Sequence, residues 1–356
     1  MRNTILTIYL LLFVPLFLSG QFSKYSNDYL SIGTGSRALA MGNSVIASTT
    51  GADALYWNPS AANKIATQMD VGLMHSEYFA GIAKYDFAGA VYRLDSNSVI
   101  GGSFIRFGVD NIPGTNNLFD SDGNMDYDKI EKFSVADYAL LVSYASKSKI
   151  AGLSYGANLK ILYRGVGKYA SAWGLGFDVS CMYNKNNWLF AAVLRDATST
   201  FTAWSFNSAN LEIVQPDGSI INKAPDNSFE WLAPRLIIGA AKRFKVYKKF
   251  SVMPEINFEA TFDGKSNQLI ASKYFNLEPR LGIEIDYNNF VFVRTGVRNL
   301  QYEIGFDDKK TLSSQISFGL GVKYLGFSLD YALSNIGSIS ENMYSNVFSL
   351  RYSFDL

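Results

Sequence analysis

The stretch KFSVMPEINFEATFD, Lys249–Asp263, alternates apolar and polar residues along its whole length. Its two faces consist of Phe250, Val252, Pro254, Ile256, Phe258, Ala260 and Phe262 on one side and Ser251, Met253, Glu255, Asn257, Glu259, Thr261 and Asp263 on the other. A period of two predicts a β-strand. The stretch is longer than the five or six residues, roughly, of an average strand. It fits the roughly 9–11 tilted residues that cross a bilayer.

Two further segments repeat the pattern: LEPRLGIEIDY (Leu277–Tyr287) and FSLRYSFDL (Phe348–Leu356). Their polar faces carry several ionised groups, which the core of a soluble β-sandwich could not bury unpaired. A water-lined or charge-paired lumen could hold them while the apolar face meets lipid. The sequence therefore predicts an all-β protein, a transmembrane antiparallel β-barrel, with a soluble β-sandwich as the alternative.

The first twenty residues, MRNTILTIYLLLFVPLFLSG, predict a secretory signal peptide. Arg2 precedes an apolar run from Ile5 to Leu18, which is too short to span a bilayer and ends in small residues. Cleavage after Gly20 would make Gln21 the first mature residue. The alternative is a retained N-terminal helix. We expect an exported protein of the cell outer membrane, in contact with its lipid.

Composition excludes several classes of function. Lys plus Arg (32) balance Asp plus Glu (31), which argues against a nucleic-acid partner. The single Cys181 cannot form an internal disulfide, and it shares an apolar face with Phe177 that should contact lipid. The single His75 excludes histidine metal clusters and most catalytic triads. We expect no enzymatic activity and no cofactor, and a polar role for His75 in the lumen or at the rim.

From Met69 onward the sequence contains about fourteen strand-like segments, as expected for a barrel over residues 69–356. They centre near Leu73, Ala90, Phe104, Leu140, Leu159, Phe177, Phe190, Ile238, Ile256, Ile283, Val293, Phe318, Leu329 and Leu350. An even number places both ends of the wall on the periplasmic side. Asp110–Phe133 and Asp196–Glu230 should then be long external loops, and Tyr183–Trp188 and Asp286–Phe290 short periplasmic turns.

Residues 21–68 lack sustained alternation and are rich in Gly and Ala, as in GADALYWNPSAANKIAT (Gly51–Thr67). They are too apolar for a free tail, so they are predicted to fold into the lumen as a hatch. Pro59 should end any preceding helix and hold Asn58 in an extended conformation. Trp57 should fill lumen volume with its indole N–H satisfied, and Asn58 should bond to the wall.

The segment GTGSRALAMGNSVIASTTGADALYWNPSAA closely resembles the N-terminal signature of the PorV/PorQ proteins, a branch of the FadL-like outer-membrane barrels. The match rests on Gly35, Arg37, Ala38, Met41, Gly42, Asp53, Ala54, Tyr56, Trp57, Asn58 and Pro59. Two departures leave the subgroup open: Ser60 follows Pro59 where FadL-type proteins commonly have Ala, and the chain ends in Leu356 rather than an aromatic residue.

The resemblance implies a fourteen-stranded barrel with an N-terminal hatch. It also implies work with the Bacteroidota type IX secretion system. There, PorV-like barrels dock beside the SprA translocon, receive exported cargo and pass it to an attachment complex with the PorU peptidase. PorQ-like members partner PorZ at the cell surface.

Two groups of charged residues are candidate sites. Inward-facing charges are expected to pair with one another or with the hatch, an ion or substrate pathway being the alternative. They are Lys160, Arg164, Asp178, Arg195, Glu255, Glu259, Arg280, Glu284, Arg294 and Arg298. The second group is a minor candidate for Ca²⁺ within a loop expected to be solvated: Asp120, Asp122, Asn124, Asp126 and Asp128.

The leading functional hypothesis is a type IX accessory barrel that binds the SprA-type translocon, exported cargo, or PorU- or PorZ-like surface components. The external loops should carry recognition. Their candidate residues are Leu118, Phe119, Phe201, Trp204, Phe206 and Trp231. The alternative is a FadL-like channel for hydrophobic small molecules. That would need an apolar lumen pocket, whereas the inward faces identified above are polar.

Overall fold

The computed structural model describes residues 27–115, 118, 124–211, 213–214, 220–304, 309–335 and 344–356. The predicted signal peptide lies outside the described residues. From Met69 onward the chain forms antiparallel strands that close on themselves, because the last strand pairs with the first through Leu350 and Leu73. Closure of the described wall strands leaves none of them as an unpaired edge exposed to lipid.

The strand bounds are β1 Met69–Tyr78, β2 Ala83–Arg93, β3 Ser98–Gly114, β4 Glu131–Lys147, β5 Leu153–Val166, β6 Ala170–Lys185, β7 Trp188–Arg195, β8 Thr200–Phe206, β9 Ile213–Val214, β10 Ile220–Ile221, β11 Phe229–Leu232, β12 Arg235–Lys242, β13 Phe244–Tyr247, β14 Phe250–Thr261, β15 Ile270–Ala271, β16 Asn276–Tyr287, β17 Val291–Ile304, β18 Lys310–Tyr324, β19 Phe327–Asn335 and β20 Tyr344–Phe354.

These pieces make a wall of fourteen strands. β7 and β8 both pair with β6 and form the seventh wall strand, and β11, β12 and β13 together form the eighth. The β9–β10 hairpin stands apart, and β15 adds a short pairing to β16. Each predicted strand centre lies on a different wall strand, so the predicted count is confirmed.

The seventh wall strand is interrupted between β7 and β8. Asp196 and Ser199 there have positive φ angles of 55° and 59°. Pro234, which has no N–H to donate, lies in the matching break between β11 and β12. The backbone stays joined to β6, because Ala197 N–H donates to the Phe177 carbonyl at 2.7 Å. The interruption is thus a local bulge in a closed wall.

The wall alternates inward and outward side chains as predicted for β14. Met253, Glu255, Asn257 and Glu259 are buried inside. Large apolar side chains on the outside are exposed, among them Leu320 at 57%. Cys181 is exposed, on an outer surface that it shares with Leu175. No helix in the described part of the chain is long and apolar enough to span a membrane.

Short turns and long connections lie at opposite ends of the barrel. Two-residue turns at Asn186–Asn187 and Asn288–Asn289 have positive φ at both residues, as hairpin turns of this length prefer. They lie at the end where the wall begins and finishes, hereafter the turn end. The long connections lie at the other end, the loop end. They are shorter than predicted, spanning 115–130 and 207–228, because β3, β4, β8 and β11 extend into the proposed loops.

Residues 27–68 fill the barrel interior, as predicted for a hatch. They form two short helices, α1 Ser36–Ala40 and α2 Ala54–Trp57, and the 3-10 segments Asp28–Ser31, Gly51–Asp53 and Pro59–Lys64. Nearly all residues from Tyr29 to Asn63 are buried or half-buried. Outside the barrel lie α3 Ser208–Leu211 and the 3-10 turn Tyr127–Lys129.

The stability lost when a charge is placed on the outer face should depend on how deep that position lies in the membrane. Leu320→Arg, in the apolar band of β18, should lower the free energy of unfolding in lipid vesicles by about 2–4 kcal/mol. Tyr324→Arg, four residues nearer the turn end of β18, is the matched control and should cost no more than about 1 kcal/mol. Denaturant titration of both variants makes the comparison, and equal losses would contradict the assigned depth.

Candidate functional site: the hatch inside the barrel

A strip of glycines on the inner wall receives the hatch. Gly282 and Gly296 face each other on β16 and β17, and the hatch backbone at Met41 and Gly42 lies directly on them. A β-carbon on Gly282 would lie 2.7 Å from the Met41 carbonyl oxygen, and one on Gly296 would overlap the Met41 and Gly42 backbone. The Gly42 N–H donates to Ser317 Oγ at 3.2 Å. Only glycine permits this backbone-to-backbone approach.

The Trp57-Asn58-Pro59 triplet closes the hatch on itself. Trp57 is 1% exposed and its Nε1–H donates to the Thr34 carbonyl at 2.7 Å. Asn58 is extended, with φ −159°, and α2 ends just before it. Its amide donates to the Ile46 carbonyl at 2.7 Å, so the predicted bond from Asn58 to the wall is wrong. The wall contact comes from the Ser60 N–H, which donates to Ser180 Oγ at 2.9 Å.

Other residues of the signature segment also contact the wall. Gly35 N–H donates to Met74 Sδ at 2.9 Å. Arg37 donates to Glu284 at 2.8 Å. Asp53 lies 3.9 Å from Arg351, and the ring of Tyr56 lies beneath the guanidinium of Arg195, 4.6 Å from the ring centroid. The signature thus marks the surface by which the hatch meets the barrel.

Ion pairs line the lumen from β5 to β16. Lys160 bridges Asp178, at 2.7 Å, and Asp196. Arg235 continues the chain from Asp196 to Glu259, with distances of 3.3 and 3.4 Å. Arg280 then pairs with Glu259 at 2.6 Å and with Glu278 at 2.9 Å. Charges buried inside the wall are therefore paired from strand to strand.

The other predicted lumen charges also have partners. Arg164 pairs with Asp137 at 2.8 Å, and Arg294 with Glu284 at 2.8 Å. Glu255 accepts the hatch N–H groups of Ala47 and Ser48, at 2.8 and 3.1 Å. Arg195 donates to the Tyr56 carbonyl at 3.2 Å, and Arg298 to the Ile32 carbonyl at 3.3 Å. The structure thus places every predicted lumen charge inside the barrel, in contact with the hatch or with another charge.

The opposite side of the lumen is apolar, which the sequence analysis missed. Its large apolar inward side chains from β1 to β5 are Met74, Tyr78, Tyr85, Phe87, Ile105, Phe107, Leu141 and Leu162. Small polar residues, among them Ser76, Ser103 and Ser143, lie between them. The ring centroids of Tyr85 lie 6.3 Å from Tyr78 and 5.8 Å from Phe107. Tyr85 is fully buried, and its hydroxyl has no hydrogen-bond partner among the described residues. The inward faces identified from the sequence are polar, and the apolar lining of this half was not among them.

The apolar lining was missed because of the pattern in β2, AKYDFAGAVYR. Tyr85 and Phe87 alternate with Lys84 and Asp86, so the period is clear but the direction is not. We assigned apolar residues to lipid, whereas here the apolar face points inward. His75 follows the same reversal. It lies on the outer face at 50% side-chain exposure, with Nδ1 2.6 Å from Asp86 Oδ1, and not in the lumen.

The predicted partner-binding aromatics lie mostly on strands. Phe201 and Trp231 contact each other across β8 and β11, with centroids 5.7 Å apart, and Trp231 is exposed. Trp204 packs under Arg164 at 5.0 Å and stacks on Phe206. They extend the barrel instead of forming a loop. Leu118 is half-buried, and Phe119 lies outside the described residues.

The acidic loop shows no metal site within the described residues, where no group of three or more potential ligands comes together. Asp126 caps the turn Tyr127–Lys129 by accepting the Asp128 N–H at 3.1 Å. Asn124 is described, but Asp120 and Asp122 lie outside the described residues.

Solved structures with a similar fold are outer-membrane channels. The CymD monoaromatic hydrocarbon channel matches with a TM-score of 0.57 and 14% identity, over 91% of this chain and 98% of its own. The Ralstonia pickettii toluene transporter TbuX gives 0.53 and 13%, over 90% and 98%. A Pseudomonas aeruginosa FadL homologue gives 0.52 and 10%, over 90% and 98%. No protein-family model and no curated protein matches the sequence. The chain therefore has the FadL-like barrel fold.

Adding one methyl group at the glycine strip should disturb hatch docking. Gly296→Ala should lower the free energy of unfolding by about 1–3 kcal/mol, since backbone atoms of the hatch cannot move aside cheaply. Gly102→Ala is the control. Gly102 faces outward, where an added β-carbon meets only the Leu141 carbonyl at 3.9 Å. Denaturant unfolding in detergent measures both, and an undisturbed Gly296→Ala variant would contradict the close contact.

Removing the central cation of the buried ion chain should be costly. Lys160→Met leaves Asp178 and Asp196 buried without their shared ammonium, and we expect a loss of about 3–5 kcal/mol. Lys168→Met removes an exposed pair with Glu131 and should cost no more than about 1 kcal/mol. Unfolding of both variants in one detergent tests the difference, which would vanish if the lumen were freely hydrated.

Proposed function

We propose that the chain is a non-enzymatic outer-membrane channel for small hydrophobic molecules, closed in this state by its hatch. The observation that carries the proposal is the apolar half of the lumen. It begins with Tyr78 beside the first loop-end turn, continues through Tyr85 and Phe107, and reaches Met74 and Phe87. An apolar solute leaving water for such a lining gains about 25 cal/mol per Å² of buried apolar surface.

The distribution of contacts between hatch and wall indicates where a solute would displace the hatch. Ion pairs and the glycine strip hold it on the side of β16 to β18, through Arg37, Met41 and Gly42. Toward the loop-end parts of β1 to β3 its contacts are mainly van der Waals packing, together with the Gly35 N–H bond to Met74 Sδ. Its other polar bonds to β1 and β2 lie near the turn end, where the Ala52 N–H donates to Asp70 at 2.7 Å and Arg93 donates to the Ile65 carbonyl. A solute entering from the loop end would therefore displace the hatch at its apolar edge, where fewer polar groups lose partners.

The similar solved structures support the substrate class. Two of them are described as a monoaromatic hydrocarbon channel and a toluene transporter. At 13–14% identity the likeness supports the fold alone. The proposed substrate class therefore depends on the lining of this lumen. Residues 1–20 would direct export and then be removed, which N-terminal sequencing of the mature protein checks.

Uptake of a radiolabelled monoaromatic hydrocarbon by cells with and without the protein tests the proposal. Phe107→Asp places a charge on the apolar route, and we expect about a tenfold lower initial rate, equivalent to about 1.4 kcal/mol in the barrier. Tyr274→Asp, at an exposed position away from the lumen, should leave uptake unchanged. Wild-type uptake equal to that of cells without the protein would refute the channel.

A second candidate is the type IX accessory barrel. It is favoured by the hatch signature and by the exposed Phe229 and Trp231 on β11, which a partner in the membrane could cover. On this hypothesis, affinity purification of tagged protein in mild detergent recovers an SprA-type translocon, type IX cargo, or PorU- or PorZ-like components. A clean monomer whose loss abolishes hydrocarbon uptake supports the channel instead.

A further inference from the structure

A cavity of about 460 Å³ opens at the turn end of the barrel, below the hatch. Its wall includes Leu189 and Met253 near the turn-end termini of β7 and β14, and Asn289 of the β16–β17 turn. The hatch contributes Ser48 and Thr50. The volume lies within the range of about 300–1,000 Å³ that small-molecule sites occupy.

Among the residues that line this cavity, basic side chains outnumber acidic ones. Two carboxylates line it, those of Glu284 and Asp330. Its basic side chains are Arg37, Lys64, Arg243, Arg294, Lys323 and Arg351. An excess of positive charge in a concave site with protein walls concentrates anions there.

The two carboxylates are already occupied. Glu284 accepts from Arg37 and Arg294, both at 2.8 Å, and from Arg243 at 3.1 Å. Asp330 accepts from Arg294 at 2.6 Å. Three guanidinium groups share Glu284, and Arg243 also pairs with Asp286, which does not line the cavity. These acids are therefore paired with arginines, and neither acid of the lining pairs with the two lysines.

Both lysines remain available. Among the described residues, the Lys64 ammonium donates only to hatch carbonyls, those of Ala47 at 3.3 Å and Thr49 at 3.1 Å. Lys323 lies on the wall at the rim. Both side chains are exposed, and among the described residues no carboxylate lies within ion-pairing distance of either ammonium. Within the described part of the chain, the contacts of Arg351 to acids are long, 3.9 Å to Asp53 and 3.7 Å to Asp70.

We propose that this cavity binds a small organic anion carrying a carboxylate or phosphate group. Lys64 and Lys323 supply the unpaired charge, and the half-buried guanidinium groups of Arg37 and Arg351, which line the cavity, supply planar donors that suit both oxyanions. Leu189 and Met253 leave room for an apolar portion. The inference is independent of the hydrocarbon route, which runs along the other side of the hatch.

The test is isothermal titration calorimetry of the full-length protein in uncharged maltoside detergent. Inorganic phosphate and succinate are the probes, and glycerol is the neutral control. We expect saturable binding of at least one anion and none of glycerol. The probe that binds identifies the oxyanion. Absence of saturable binding by both anions would overturn the proposal.

Variants locate the binding. Lys64→Gln combined with Lys323→Gln should weaken binding about tenfold or more, because two charged hydrogen bonds are lost. Lys149→Gln, in the exposed turn between β4 and β5 at the same end, should bind like the wild type. Lys323→Gln alone leaves the hatch contacts intact and should weaken binding about fivefold, which keeps the test valid if the double variant misfolds. Unchanged affinity in both lysine variants would refute the site.

Discussion

A fourteen-stranded wall encloses more space than its own side chains can fill, and the rest of this structure depends on that constraint. Barrels of about eight strands are filled by their inward residues, whereas wider ones need a plug or hold water. Here the hatch fills the space and completes the wall's bonding. Glu255 accepts two hatch N–H groups, Arg37 reaches Glu284, and Arg195 lies over Tyr56. Without the hatch, buried polar groups of the wall would lack hydrogen-bond partners, and without the wall the same would hold for the hatch.

The lumen is divided lengthwise, and this division links the packing to the proposed functions. Charged strands and the strip around Gly296 hold the hatch by polar bonds and backbone contact on one side. Aromatic and aliphatic residues around Tyr85 meet it on the other. Hydrogen bonds and ion pairs are costly to break where no water replaces them. An apolar surface that packs against the hatch can instead pack against an apolar solute at little cost. On the proposed channel function the apolar side is the route, and the basic turn-end cavity lies across the hatch from it.

The fold was predictable because a period of two is a local property of the sequence. The strand count and the hatch followed from it. The direction of each face did not, since in β2 both faces have residues that a membrane barrel tolerates, and tertiary context decides. For this reason the inward position of Tyr85 was not predicted, and His75, expected in the lumen or at the rim, lies on the outer face. The predicted lumen charges do face inward, yet their partners, such as Arg235 for Asp196, come from distant strands and could not be read from spacing.

The claim that the hatch is bound inside the wall can be measured with one engineered cross-link. Ser36 Oγ on the hatch lies 2.8 Å from Ser349 Oγ on β20. In a Cys181→Ser background, Ser36→Cys combined with Ser349→Cys should form a disulfide in the folded, membrane-inserted protein, and neither thiol should then react with maleimide. Two free, reactive thiols in a correctly folded barrel under oxidising conditions would contradict the account.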